Sequence, residues 1–379
     1  MSSSNRTVPF FNYPSLFVEE EAKMVEIFTD VCRRGAFIQQ RDLEEFEQRL
    51  GEYVGAKHVL GIANATDALH LALRAVGIEA GDEVIFCSHT MVATAASIHY
   101  AGGVPVPCEC GPDHLMDPAS AEAAVTSRTK AIMPTQLNGR TADMDAIQAI
   151  ADKHGLMILE DSAQALGSKF KAQCAGTFGK AGCISFYPAK TLGCFGDGGC
   201  VFTNDDEVYH NLCLLRDHGR DAEGEVRLWG LNSRLDNLQA AILNHKFKSY
   251  DQAIARRREI ASQYQERLGA ISTLVLPPAP DSDDRHFDIF QNYELEAEHR
   301  DQLRSHLTDR GIGTLIQWGG KAVHQFKDLG LTQSLPYTDQ LFKRLLMLPL
   351  NTTLTAEDVD YICDCIEQFY DSKTTQHAA

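Results

Sequence analysis

Helix-period segments alternate with short apolar runs between residues 65 and 160, and that order leaves few folds open. Ala65–Ala75 (ATDALHLALRA) is a strong helix former, with Thr66 and Asp67 in its first turn. Gly81-Asp82 turns into the apolar run Glu83–Cys87. A helical pattern over Val92–Tyr100 and an extended run over Val104–Pro107 follow. Lys130–Pro134 reads as strand, Met144–His154 as helix and Leu156–Glu160 as strand. A β-α-β-α order of this kind predicts a mainly parallel sheet between helices. Sheets of that type bind ligands at the carboxyl ends of their strands. Two more helices are expected ahead of this region, over 19–33 and 42–50.

The pattern changes near Leu235. Leu235–Leu268 is a long helical stretch, expected to hold more than one helix, with Arg256, Arg257 and Arg258 on a solvated face. Pro277-Pro278-Ala279-Pro280 and the acidic residues after it form a polar loop. Beyond it, strands mix with helices at about 298–310 and 355–370, and the tail from Ser372 is expected to fray. The reading is a large α/β domain over 1–250 and a smaller C-terminal α+β domain over 251–379.

The chain has 379 residues, 44% of them hydrophobic, which is enough to bury a substantial core. Its formal net charge of −17 disfavours binding to a polyphosphate, so no nucleic-acid partner is expected. No run approaches the roughly 18 to 20 apolar residues that span a bilayer, and the first residues show no secretory pattern. Eleven cysteines without framework spacing read as reduced thiols of a cytoplasmic protein. Cys108/Cys110 and Cys363/Cys365 are C-x-C pairs with no zinc-spaced partners. They read as packing residues, and no metal is expected.

The chemistry concentrates between Met157 and Gly199. One strand ends in Glu160-Asp161. A later strand runs through Ser185-Phe186 to Tyr187-Pro188 and then Lys190, followed by Gly193, Gly196, Gly198 and Gly199. Alone, Lys190 could be a surface lysine, but its neighbours match what pyridoxal 5'-phosphate demands of a protein. That cofactor needs an amine for its aldehyde and a carboxylate at its ring nitrogen. It also needs donors for its phosphate at a helix start. Lys190, Asp161 and Thr66 (after Asn64-Ala65) supply these, and Ser185 adds a hydroxyl. Asp161 could also cap the turn that follows it.

The strings NATDAL (64–69), GDEVI (81–85), TMVATAASI (90–98), ADMDAI (142–147), EDSAQALG (160–167), SFYPAKTLG (185–193), GDGG (196–199), LRDHG (215–219) and LNSRLDNLQAAIL (231–243) occur in order. With them the chain resembles the nucleotide-sugar aminotransferases of the DegT/DnrJ/StrS type, within the fold-type-I pyridoxal-phosphate enzymes. The resemblance implies a large domain with a mostly parallel, seven-stranded type of sheet and a smaller C-terminal domain. It implies Lys190 as the catalytic lysine, Asp161 as partner of the ring nitrogen and Gln164 as partner of the ring hydroxyl. Ala65, Thr66 and Ser185 would meet the phosphate. Asn232 would reach the phosphate of a neighbouring subunit, making the active unit a homodimer with shared sites, while Arg234 braces the loop.

Met91 stands where the family usually has an aromatic ring cover, and it reads either as that cover or as core. Asn138 stands where relatives often carry tyrosine. It joins Tyr187 and His324 as candidate substrate contacts; His218 reads as structural. The implied activity moves an amino group from L-glutamate to a keto sugar nucleotide, in making an amino sugar for a surface polysaccharide or secondary metabolite. The spelling of SFYPAKTLG is closer to relatives that aminate C3, with a 4-keto-6-deoxy sugar nucleotide as the alternative. Dehydratases of this fold carry histidine at the lysine position, so Lys190 argues against them. A non-catalytic regulatory homologue would be expected to lose the Asp161/Lys190 pair.

Overall fold

The computed structural model describes residues 6–377. Seven strands form the central sheet: β1 (His58–Ile62), β2 (Glu83–Cys87), β3 (Val104–Cys108), β4 (Thr129–Met133), β5 (Met157–Asp161), β6 (Ala181–Ser185) and β7 (Gly199–Thr203). Their order is β1-β7-β6-β5-β4-β2-β3. From β3 to β6 all neighbours are parallel. β7 runs antiparallel to both β6 and β1. Every residue of β2, β6 and β7 is buried, as expected for a sheet covered on both faces. The helices Ala65–Ala75, Val92–Tyr100 and Met144–His154 fall where periodicity put them. β1 and β7 were not anticipated from the sequence. β1 is a five-residue run interrupted by Gly61, its fourth residue, and β7 lies inside a glycine-rich stretch that reads as loop.

A second, antiparallel sheet joins Leu274–Val275, Tyr293–Ala297 and Leu345–Leu348. Its core holds Tyr264, Tyr293, Leu295, Leu307, Ile362 and Ile366. Val8 belongs to this same core, and its N–H donates to the Gly311 carbonyl at 2.9 Å, so the start of the chain packs on the C-terminal domain. The helix Tyr250–Leu268 is shared. Tyr250 and Ile254 pack with the large domain, and Ile260, Tyr264 and Leu268 with the small one. The division placed at residue 250 therefore falls at the start of an element that both cores use.

Two expectations are corrected. Arg257 is not on a solvated face. It is 6% exposed, and its Nη1 donates to the carbonyls of Phe290, Gln291 and Leu350, each at 3.1 Å. A run of three arginines necessarily points in three directions around a helix, and here the middle one faces inward. The tail also does not fray at Ser372, because the last helix continues from Ala356 to His377. Residues 378–379, the end of that tail, lie outside the described residues. All eleven cysteines are free, and Cys108, Cys110, Cys363 and Cys365 are buried in the cores.

Candidate active site

The strand ends of the central sheet converge on one cavity of about 340 Å³. Thr90 and Met91 follow β2, Thr135 and Leu137 follow β4, and Asp161 ends β5. Ser185 ends β6, and Lys190 lies in the loop beyond it. Because β7 is reversed, Gly198 meets the same edge from the start of that strand. The helix Ala65–Ala75 begins there too. Its N-cap Asn64 accepts the Asp67 N–H at 2.8 Å through its side chain. Ala65 and Thr66 line the cavity, so the unpaired first-turn N–H groups and the positive end of the helix dipole are available to an anion. Gly199 must be glycine, since a Cβ there would lie 2.8 Å from the Ala65 nitrogen.

Asp161 is fixed from both sides. Its Oδ2 accepts the Thr94 hydroxyl at 2.7 Å, and its Oδ1 accepts the Ala163 N–H at 3.2 Å. Thr94 bonds Thr90, which accepts from Thr135 at 3.0 Å, so a row of hydroxyls runs behind the carboxylate. Burial pushes the Asp161 carboxyl up, while Thr94, the Ala163 N–H and the Lys190 charge pull it back. Its strand neighbour Glu160 points the other way, as strand alternation requires. Glu160 accepts the N–H groups of Gly176 and Phe178 at 2.8 and 2.7 Å, anchoring the turn that positions β6. Lys190 has its pKa lowered to about 8 by burial, with Asp161 opposing the shift. An amine at that value is partly neutral near physiological pH and therefore nucleophilic.

Gln291 holds the lysine loop. Its side chain accepts the Thr191 N–H and donates to the Ala189 carbonyl, both at 2.8 Å, bracketing Lys190. Gln164 also lines the cavity. Its Oε1 accepts from the Asn138 N–H at 2.9 Å and from Asn292 Nδ2 at 3.2 Å, which leaves its Nε2 to donate into the cavity. Met91 (49% exposed) and Tyr187 (49% exposed) line the cavity at its open side, and Trp318 also lines it.

The structure thus brings together Ala65, Thr66, Met91, Asp161, Gln164, Ser185, Tyr187 and Lys190. It does not bring three other candidates to the cavity wall. Asn138 sits behind Gln164. Asn232 is exposed, in a bridge to Asp217, whose carboxylate Arg234 braces at 2.9 Å. His324 corrects the expected substrate contact. It is buried, with Nδ1 on the Ser88 hydroxyl at 2.7 Å and Nε2 on Asp339 at 3.1 Å, so both ring nitrogens are engaged. Thr94, Gln291 and Trp318 were missed. The i, i+4 spacing of Thr90 and Thr94 is a local signal for the first; the other two arrive from distant sequence and leave none.

This donor set fits pyridoxal 5'-phosphate. An amine and a buried carboxylate face one cavity, a helix start lies at one end, and a free amide N–H points inward. Fold and cavity together define an enzyme of the aminotransferase class. The chain belongs to the DegT/DnrJ/EryC1/StrS aminotransferase family, whose profile matches residues 18–367 and whose members are pyridoxal-phosphate dependent. It is 38% identical to a pleiotropic regulatory protein of Geobacillus stearothermophilus, over 96% of this chain and 98% of that one. It is 36% identical to a dTDP-3-amino-3,4,6-trideoxy-alpha-D-glucose transaminase of Streptomyces venezuelae, over 97% and 98%. The crystal structure of S. venezuelae DesV in complex with a ketimine intermediate superposes with a TM-score of 0.91 at 36% identity, covering 96% and 98% of the two chains.

Proposed function

We propose that the protein transfers the amino group of L-glutamate to a keto sugar nucleotide, with the ketone at C3 of the sugar. The observation that carries this reading is the Lys190 amine and the buried Asp161 carboxylate on one cavity at the carboxyl edge of the sheet. The C3 position draws support from the name of the S. venezuelae relative, a transaminase making a 3-amino sugar.

Pyridoxal 5'-phosphate, when bound, supplies an aldehyde that carries nitrogen and a ring that takes up an electron pair. Lys190 holds it and, in its neutral form, is the group that moves a proton at the reacting carbon. Asp161, steadied by Thr94, keeps a proton on the ring nitrogen. Ala65, Thr66 and Ser185 would bind the phosphate, and Gln164 would offer its Nε2 to the ring hydroxyl. Met91 and Trp318 limit water at the ring, and Tyr187 stands at the mouth, where the sugar arrives. Asn138 acts on the site from behind, through Gln164, whose Oε1 accepts its backbone N–H.

Asn232 is solvent-facing in the single chain, which suits a residue completing a partner's phosphate site, so the working unit is a homodimer. Mixing Lys190→Ala with Asn232→Ala chains then restores activity, because each mixed dimer regains one intact site. The described residues contain no helix long and apolar enough to cross a membrane. The free thiols suit the cytoplasm.

Borohydride reduction of the holoenzyme followed by peptide mass spectrometry tests the core of the reading, and the adduct must sit on residue 190. Product mass spectrometry with 3-keto and 4-keto-6-deoxy sugar nucleotides then decides the position. Turnover of the 4-keto compound alone replaces the C3 assignment.

A further inference from the structure

Next to the cavity, but outside it, His89, His114 and Glu294 meet in the interior. His89 follows β2, His114 lies in the turn after β3, and Glu294 comes from the small-domain strand Tyr293–Ala297. His89 Nε2 lies 3.4 Å from Glu294 Oε2, and His114 Nδ1 lies 3.3 Å from the same oxygen. The side chains of His89 and Glu294 are at most 1% exposed. We propose that these three residues bind a divalent transition-metal ion of the zinc class, with water as a fourth ligand.

Four observations carry this. First, the separations are long for ion pairs, whose charge-assisted N–H···O bonds measure about 2.7–2.9 Å. They match the edge of a tetrahedron with bonds of about 2.0–2.1 Å, which is about 3.3 Å. All three ligand atoms lie within 4.8 Å of one another. Second, His89 Nε2 and Glu294 Oε1 are buried with no hydrogen-bond partner, an expensive arrangement for bare polar atoms. Third, the outer partners are those that metal ligands need. His89 Nδ1 faces the His114 carbonyl at 3.1 Å, which holds a proton on Nδ1 and leaves Nε2, on the Glu294 side of the ring, as the nitrogen that gives up its proton to take the ion. His114 Nε2 lies 3.6 Å from Glu296, and Asn138 Nδ2 donates to Glu294 Oε2 at 2.9 Å. Fourth, His114 and Glu294 line a recess of about 30 Å³, bounded by Pro112, Asp113, Asn138 and Asp288. That gives room for one water and a route inward.

Two imidazoles and a carboxylate suit Zn²⁺ rather than Mg²⁺ or Ca²⁺. The ion would clamp a small-domain strand to two loops of the large domain. Its carboxylate ligand connects through Asn138 to Gln164 at the cavity wall. The site does not depend on which substrate the enzyme uses.

The test takes the full-length holoenzyme through EDTA dialysis, incubation with zinc chloride and desalting, with metal counted by plasma mass spectrometry. Wild type and the exposed control His218→Gln should retain one zinc per chain, and Glu294→Gln and His114→Gln should lose it. Co²⁺ in place of zinc should give visible bands of tetrahedral intensity in wild type. Wild type that keeps no stoichiometric zinc and shows no such band overturns the proposal, as does equal retention by His114→Gln. Should Glu294→Gln fail to fold, the less buried His114→Gln and the wild-type cobalt spectrum decide alone.

Discussion

The two walls of the cavity are built in different ways. The wall that carries Thr66, Asp161, Ser185 and Lys190 consists of strand ends and the first turns after them, and each residue is placed by its own short segment. The layer behind Gln164 is assembled from Asn138, Asn292, Glu294 and Gln317, which lie up to 179 residues apart and meet mainly through side-chain hydrogen bonds. The first wall presents the amine, carboxylate and hydroxyl groups to the cavity; the second fixes Gln164 from behind. Damage to the first should therefore abolish function, and damage to the second should grade it.

The largest effect belongs to the first wall. Lys190→Ala should lower kcat/KM by about 10³-fold or more and remove the absorbance of lysine-bound cofactor. A variant that keeps more than a tenth of wild-type turnover would break the distinction at its strongest point. Stability, by contrast, should hang on a support that touches no ligand. Arg257→Met leaves the carbonyls of Phe290, Gln291 and Leu350 without their shared donor. It should cost about 2–4 kcal/mol of unfolding free energy in urea titrations.

This asymmetry also explains what could be read from the amino-acid order. The placing of Asp161 and Lys190 on one edge of the sheet was legible because one ends a strand and the other lies just past one, each within a short local string. The helix over Ala65–Ala75 was legible because its propensity and first turn agree. β7 was hidden because close packing against Asn64 and Ala65 demands glycine at position 199, which hides a strand as a loop. Arg257 was misread because burial of a cation depends on three carbonyls from two distant segments. His324 was misread because its place in the amino-acid order says nothing of Ser88, 236 residues away. Gln291 left no local trace at all, yet it grips both neighbours of Lys190.

That grip gives the next test. Gln291→Leu keeps the volume but frees the Thr191 N–H and the Ala189 carbonyl. The lysine loop should loosen, with kcat/KM falling about 10- to 100-fold while the adduct still forms on residue 190. Proton linkage sharpens the same point. With the Lys190 amine at about 8, its neutral form falls tenfold for each pH unit below that value. Cofactor uptake by the apoprotein should therefore rise with pH and level off above about 8. Between about 8 and 10.5 the unfolded chain keeps a proton that the folded chain has released, so this group makes apoprotein stability rise with pH across that window. In Lys190→Ala that increment should vanish from pH-dependent melts.

The smallest effect belongs to Asn138, and it separates the walls most finely. Its backbone N–H fixes Gln164, its Oδ1 accepts from Asn292 and Gln317 at 2.9 and 2.7 Å, and its Nδ2 reaches Glu294. Asn138→Ala spares the backbone bond to Gln164 but removes the side-chain bonds. It also places alanine at a φ of 56°, a conformation that asparagine tolerates better. Gln164 then keeps one anchor of two in good order, because Asn292 loses its second acceptor and can swing away. Cofactor release measured by fluorescence should become about 5- to 10-fold faster, near 1 kcal/mol, with kcat changed by less. A loss as large as that of Lys190→Ala would mean that Asn138 touches the reacting atoms directly and that the two walls are not functionally distinct.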